Sequence, residues 1–95
     1  MKPLWKIRSG EFAGWRSGDI LYNSNGDNIG YFHRDIAYSL GGKYIGEIYR
    51  DDWIGKRTSI TYPSGGSRAG YAGVAVARYG NRVGIAIAGW KDPDF

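Results

Sequence analysis

Ile20-Leu21-Tyr22-Asn23-Ser24-Asn25-Gly26-Asp27-Asn28-Ile29-Gly30-Tyr31-Phe32-His33-Arg34-Asp35 is a sixteen-residue stretch whose skeleton returns in the sixteen residues that follow it. Ile36, Tyr38, Gly42, Ile45, Gly46 and Asp51 fall where Ile20, Tyr22, Gly26, Ile29, Gly30 and Asp35 do. One row earlier, Gly10, Gly14 and Asp19 occupy the same columns, with Leu4 ahead of the row and Lys6 in the column of Tyr22. Three rows, about 4–19, 20–35 and 36–54, thus share one spacing without a gap. An eight-residue insertion separates them from a degenerate row, about 60–72, that keeps Ile60, Tyr62, Gly66, Gly70 and Tyr71.

Sixteen residues suit a β-hairpin and its connection. Each row carries a hairpin-turn signal: Ser9-Gly10, Asn25-Gly26, Gly41-Gly42 and Gly65-Gly66. Asn-Gly is the strongest of these, because a two-residue type I′ turn needs positive φ at both central positions. Further turns fall between rows, at Ser17-Gly18-Asp19, Arg34-Asp35 and Arg50-Asp51-Asp52. Helical periodicity is absent. The chain therefore reads as an antiparallel meander. Pairing across Asn25-Gly26 sets Tyr22 opposite Ile29 and Ile20 opposite Tyr31 on a buried face, with Tyr38 likewise opposite Ile45. Asn23 and Asn28 are left on a wet face, and Leu21 meets Gly30.

The glycine of the second strand is informative. Gly inside a strand costs roughly 0.5–1 kcal/mol relative to Ala, yet it recurs as Gly14, Gly30 and Gly46. A Cβ at these positions is expected to collide, either with a neighbouring hairpin's backbone or with Trp5 and Leu21. Farther on, Gly73-Val74-Ala75-Val76-Ala77-Arg78 and Val83-Gly84-Ile85-Ala86-Ile87-Ala88 both alternate around Gly80-Asn81. This pattern predicts an apolar hairpin over 73–90, with Val76 facing Ile85 and Val74 facing Ile87. Its Ala/Gly reverse face would either cover the mouth of the hairpin ring or serve as a subunit interface.

Tyr22-x-x-x-Gly26-x-x-Ile29-Gly30-Tyr31 and Tyr38-x-x-x-Gly42-x-Tyr44-Ile45-Gly46-Glu47-Ile48 resemble the repeats of the four-fold beta flower proteins, small bacterial proteins of undetermined function. The resemblance covers residues 4 to about 54 well and 60–71 poorly. It implies hairpin petals around a pseudo-four-fold axis and no particular activity. Lys6 in the petal Tyr column and the insertion before the fourth row depart from the pattern. The expected architecture is one all-β domain, 1–95, of hairpin petals plus the C-terminal hairpin.

Ninety-five residues and 10.5 kDa suffice for a single domain. Hydrophobic residues are 42% of the chain, including four Trp, eight Tyr and three Phe, enough for a packed core. The absence of Cys removes disulfides, thiolate metal sites and Cys nucleophiles. Met1 to Arg8 contains no apolar run of the secretory kind, and Arg78 and Arg82 interrupt the apolar stretch Tyr71–Trp90. A soluble, cytoplasmic protein without a membrane partner is expected.

No constellation for catalysis emerges. His33, the only histidine, sits in an inter-row turn where its column partners are Ser17 and Tyr49. The Asp19/Asp35/Asp51 column suits carboxylates that accept turn backbone N–H groups better than a shared metal site. Gly65-Gly66-Ser67-Arg68 lacks the Walker pattern and a following helix. The remaining signal is the pairing of Arg with aromatics: Trp15 with Arg16, Tyr31 with Arg34, Tyr49 with Arg50. These six are the candidate binding residues. Stacking on their rings with phosphate neutralisation would give weak binding of single-stranded nucleic acid, which the net charge of +4 permits. Exposed Trp or Tyr could alternatively recognise carbohydrate. The leading expectation is a non-enzymatic interaction or assembly module without catalytic residues, cofactor or metal, whose partner is another protein or a second copy.

Overall fold

A computed structural model describes residues 1–95 and contains eight strands and no helix. The strands are β1 (Lys2–Lys6), β2 (Phe12–Ser17), β3 (Ile20–Asn23), β4 (Asn28–His33), β5 (Ile36–Ser39), β6 (Tyr44–Tyr49), β7 (Trp53–Arg57) and β8 (Trp90–Lys91). Each pairs antiparallel with the next, and β1 also pairs in parallel with β7, so the first seven strands close into a barrel of meander order. Closure rests on the Trp5 N–H donating to the Asp52 carbonyl (3.0 Å) and the Ile7 N–H donating to the Ile54 carbonyl (2.9 Å). The molecule is a disc of 35 × 33 × 17 Å. Its four petals are the hairpins β1–β2, β3–β4, β5–β6 and β7–β8.

Each of the first three petals carries a register shift at the same place: between Leu4 and Trp5, Leu21 and Tyr22, and Ala37 and Tyr38. There Ala13-Gly14, Ile29-Gly30 and Ile45-Gly46 supply two residues against one, a β-bulge repeated by the sequence. A Cβ on Gly14 would overlap the Tyr22 carbonyl oxygen, and one on Gly30 the Tyr38 carbonyl oxygen. The expected crowding is therefore real at these two positions, and it comes from the first strand of the next petal.

The bulge redistributes the side chains. Ile20 faces Tyr31 and Leu21 faces Gly30, as the pattern predicts, but Tyr22 pairs with Asn28 and Tyr38 with Tyr44, not with Ile29 and Ile45. Ile29 and Ile45 consequently turn to the face opposite Tyr22 and Tyr38, whereas Ile20 and Ile36 stay with the aromatics. Leu4, Ala13, Leu21, Phe32, Ala37, Ile45 and Ile54 fill the barrel, with Ile29, Ile48 and Phe95 against them. Apart from Phe32, the buried aromatics lie outside: Trp5, Phe12, Trp15 and Tyr22 in one group, and Tyr31, Tyr38 and Tyr44 in another. Nor is Asn28 a simple wet residue, because its Nδ2 donates to the Leu21 and Gly30 carbonyls.

The petal-tip turns are not the two-residue type I′ turns expected. At the petal tips, the Gly26 N–H donates to the Asn23 carbonyl and the Asn23 N–H to the Asp27 carbonyl, and the Ser39–Lys43 turn does the same. These are three-residue loops ending in a left-handed glycine, with φ of 85° at Gly26 and 93° at Gly42. The primed geometry appears instead between petals, where Arg50 and Asp51 both have positive φ. In the first petal the corresponding bonds run from Gly10 to Lys6 and from Lys6 to Glu11, so its tip is one residue longer. Trp5, not Lys6, therefore holds the place of Tyr22 and Tyr38, pairing with Phe12.

Two expectations for the last third are overturned. Row 60–72 forms no petal; the fourth petal is completed by β8, whose Lys91 and Trp90 pair with Lys56 and Arg57. No hairpin forms over 73–90 either, since residues 58–87 contain no strand. The physical reason is competition for partners. The tip glycines leave outward carbonyls, and the Gly65, Val74 and Arg82 N–H groups donate to Gly42, Gly26 and Gly10 respectively, at 2.7–2.9 Å. The Ile85 N–H goes to the Ile7 carbonyl. Val74 and Ile85 are thus tied to different petals and do not pair with each other. The would-be turn is used as well: Gly80 O accepts from Trp5 Nε1 (2.9 Å) and Asn81 Oδ1 from the Phe12 N–H (2.9 Å). Residues 58–89 form a strap that runs backwards around the rim, from the third petal to the first.

Candidate interaction surface

The strap decides which aromatics meet solvent. Val74 and Val76 pack on the Trp5/Phe12/Trp15/Tyr22 group. Tyr79 stacks on Trp5 at 5.8 Å between ring centroids and meets Trp15 edge-on at 5.1 Å. Two strap arginines seal the same face. The Arg82 guanidinium lies 3.5 Å from the Trp5 ring centroid and pairs with Asp52 at 2.8 Å. The Arg68 guanidinium lies 3.9 Å from the Tyr31 centroid and pairs with Asp19 at 2.8 Å. Both combine a ring face with a carboxylate on an inter-petal turn, which suits a planar, weakly hydrated cation. The Arg68 hydrogen bond holds the Asp19 carboxyl below its usual value of 3.8.

The strap's first turn is held differently, because Glu47 replaces the aromatic found at Trp15 and Tyr31. Glu47 is buried and accepts from Arg57 (3.0 Å) and from the Tyr62 hydroxyl (3.3 Å), while Tyr44 Oη accepts from the Arg57 N–H. Burial raises the Tyr62 phenol, and the Glu47 carboxylate adds to the effect; burial also raises Tyr44. Both phenols therefore keep their protons at neutral pH. The cluster is a clamp for Tyr62 rather than a reactive centre.

The six residues singled out in the sequence divide. Trp15 and Tyr31 are buried, so neither presents a ring for stacking, and Tyr31 instead donates its hydroxyl to the Gly66 carbonyl (2.6 Å). Arg16 is held by the Gly18 and Arg34 carbonyls and by Asp35, with its guanidinium 4.2 Å from the Phe32 centroid. Arg34 and Arg50 are exposed on inter-petal turns, Arg50 lying over half-buried Tyr49. Arg16 and Arg50 line a cleft of about 480 Å³ at that end of the barrel, together with Lys2, Asp35, Ile48 and Asp51. Within it Lys2 pairs with Asp51 and Arg16 with Asp35, so its charge is largely met. The Asp column does not converge. Asp19, Asp35 and Asp51 each turn to a different cation, instead of to the turn N–H groups expected of them. His33 is the exposed last residue of β4, paired with Ile36, and not a turn residue as expected; it lines a second cleft, about 320 Å³, with Tyr31, Tyr38 and Gly65–Arg68.

What remains uncovered is the strap itself. Tyr71 is 65% exposed, Tyr79 48% and Val83 92%. Across its 32 residues only six N–H groups, those of Thr58, Gly65, Arg68, Val74, Arg82 and Ile85, reach a backbone acceptor. Backbone–backbone bonds in folded chains average about two-thirds of one per residue, although side-chain bonds add to the strap's hold, as where the Tyr71 N–H donates to Asn28 Oδ1. From Ala69 to Ala77 there is no charged residue. The sequence reading missed this surface because it folded the segment into a hairpin; the available signal was an uncharged, β-prone run without any polar face.

Residues 7–67 match the family model described as 4-fold beta flower protein. No curated protein and no solved structure matches the chain.

Proposed function

The chain belongs to the 4-fold beta flower family, and from that premise we propose that it is a non-enzymatic protein-interaction module whose contact surface is the strap. The observation that carries this reading is the contrast between the two layers. The petals bury their own aromatics, whereas the strap over them exposes Tyr71, Tyr79 and Val83 on backbone with few partners. Apolar, extended and underbonded backbone is the chemistry of strand addition: main-chain bonds supply affinity and alternate side chains supply selectivity.

The test is site-specific photo-crosslinking in the native host. Benzoylphenylalanine is placed singly at Tyr71, Tyr79 or Val83, and for comparison at Asn25 and Lys43 on the petal tips. Adducts to one defined protein, formed from the strap positions and not from the tips, support the reading. Equal or absent crosslinking at the two sets sinks it.

A further inference from the structure

One end of the barrel is underfilled, and the repeat itself shows why. The residue before each bulge glycine is Ala13, Ile29 or Ile45, so the first petal carries a methyl group where the next two carry isoleucine. Ala13 and Ile45 belong to the barrel interior, and Ile29 packs against it. The three share one layer, which the small side chain of Ala13 leaves incomplete. A cleft of about 340 Å³ lies there, with Ala13, Ile29 and Ile45 as its floor and Phe95 as one wall. We propose that this cleft is a binding site for a small, uncharged molecule carrying an aromatic ring. The site is separate from the strap surface, and neither reading depends on the other.

The lining defines the ligand. The floor is aliphatic, and the chain supplies its own example of a ring that fits: Phe95 packs on the interior cluster at this mouth while staying partly exposed. A second ring can lie offset against it, as aromatic pairs prefer. An apolar floor with a few polar groups at the lip is the usual make-up of a small-molecule site, and these run from about 300 to 1,000 Å³. At about 340 Å³ this one suits a single ring.

The charges at the lip are already met. Lys6 pairs with Glu11 at 3.0 Å, and Asp94 pairs with Lys56 at 2.5 Å. An ionic ligand would therefore give up hydration without gaining an unmatched counter-charge. Hydroxyls are what the lip has left. Ser39 Oγ accepts the Lys43 N–H at 3.1 Å and keeps its own proton to donate, and the Ser24 hydroxyl has no partner within the chain. Either can bond a hydroxyl or amide group on the ligand.

The mouth is also open and preformed. No strap residue lines it, because the strap N–H groups are tied to the petal-tip carbonyls around the rim. The Asp94 N–H donates to the Ile45 carbonyl at 3.0 Å, and the Lys56 pair holds the same residue, so the wall that Phe95 forms is fixed in place. Little ordering then remains to oppose binding.

The experiment is methyl-resolved NMR on the purified full chain, titrated with benzyl alcohol and, as charged counterparts, with benzoate and benzylamine. Benzyl alcohol is expected to shift the Ala13, Ile29 and Ile45 methyl signals saturably, with a dissociation constant of about 1 mM. The charged probes should bind more weakly. Ala13→Val and Ala13→Ile restore the bulk that the other petals carry, and each should weaken benzyl alcohol binding about tenfold or more while near-ultraviolet circular dichroism stays unchanged. The valine variant, the smaller change, decides if isoleucine prevents folding, and the wild-type shift map stands independently of both. No saturable shift in the wild type, shifts centred on Tyr71 or Tyr79 instead of the mouth, or unchanged affinity in Ala13→Val overturns the site. Benzoate or benzylamine binding as tightly as benzyl alcohol overturns the assigned ligand class.

Discussion

The glycines differ sharply in what an added methyl group would meet. Gly30 is confined by the Tyr38 carbonyl of the next petal, whereas Gly80 has no atom within 4 Å of an added Cβ and no positive φ. Gly30→Ala should therefore destabilise the protein by about 1–3 kcal/mol, because backbone must shift to admit the methyl group. Gly80→Ala should change stability by no more than about 0.5 kcal/mol. Urea denaturation followed by Trp fluorescence measures both, and equal effects would refute the steric account. Arg82 is a second residue with a legible role. Arg82→Met keeps much of the apolar stem but loses the Asp52 pair and the cation over Trp5. Its expected cost is about 1–2 kcal/mol, with a change in Trp emission that a purely surface residue would not produce.

At the scale of the element, the strap is bound at points rather than along its length. Hydrogen exchange should show that pattern. The Gly65, Val74, Arg82 and Ile85 amides, each bonded to a petal carbonyl, should exchange more slowly than those of Gly73, Ala77 and Arg78, which have no such acceptor. Acid should loosen the strap at one identifiable point. Asp19 has its pKa lowered in the folded protein by Arg68, so the unfolded chain binds its proton at higher pH. The contribution is thus present above the unfolded value near 3.8 and is lost as pH falls through the lower folded value. The Tyr31 ring signals in NMR, under Arg68, should report this loss, and Asp19→Asn should abolish the pH dependence there. No titration of Tyr31 shifts in this range would contradict the arrangement.

At the scale of the molecule, barrel closure ties the first strand to the seventh. Ile54 contributes a fully buried side chain to the interior and also carries the carbonyl that receives the Ile7 N–H. Ile54→Ala should cost about 2–5 kcal/mol. Since every petal leans on that interior, circular dichroism and Trp fluorescence should still lose structure in one coincident transition. Separate transitions for petals and strap would show that the ring does not fold as a unit.

Hairpins, their order and the steric role of the bulge glycines were readable in the sequence, because each is a local matter: strand alternation, turn glycines and a fixed sixteen-residue spacing act between near neighbours. The family resemblance rested on these same features. The one-residue excess in the first petal was visible only as Lys6 out of place, since nothing local says whether a row has changed a residue or lengthened a turn. The bulge, too, was hidden: alternation alone cannot tell a continuous ladder from one that skips a residue, so Ile29 and Tyr22 were set on one face.

The path of residues 58–89 was settled in three dimensions. Val74–Ala77 and Val83–Ala88 are as good a hairpin on paper as Tyr22–Tyr31, but the closed ring offers Gly10, Gly26 and Gly42 carbonyls at its rim, and those acceptors exist only once the petals have assembled. The strap's N–H groups bond to them instead of to one another. That same choice buried Trp15 and Tyr31, exposed Tyr71 and Tyr79, and thereby determined which aromatics another molecule can touch. Sequence set the local pairings, because neighbouring residues reach each other first. Tertiary structure set the surface, because whether a side chain meets solvent depends on chain that arrives from far away.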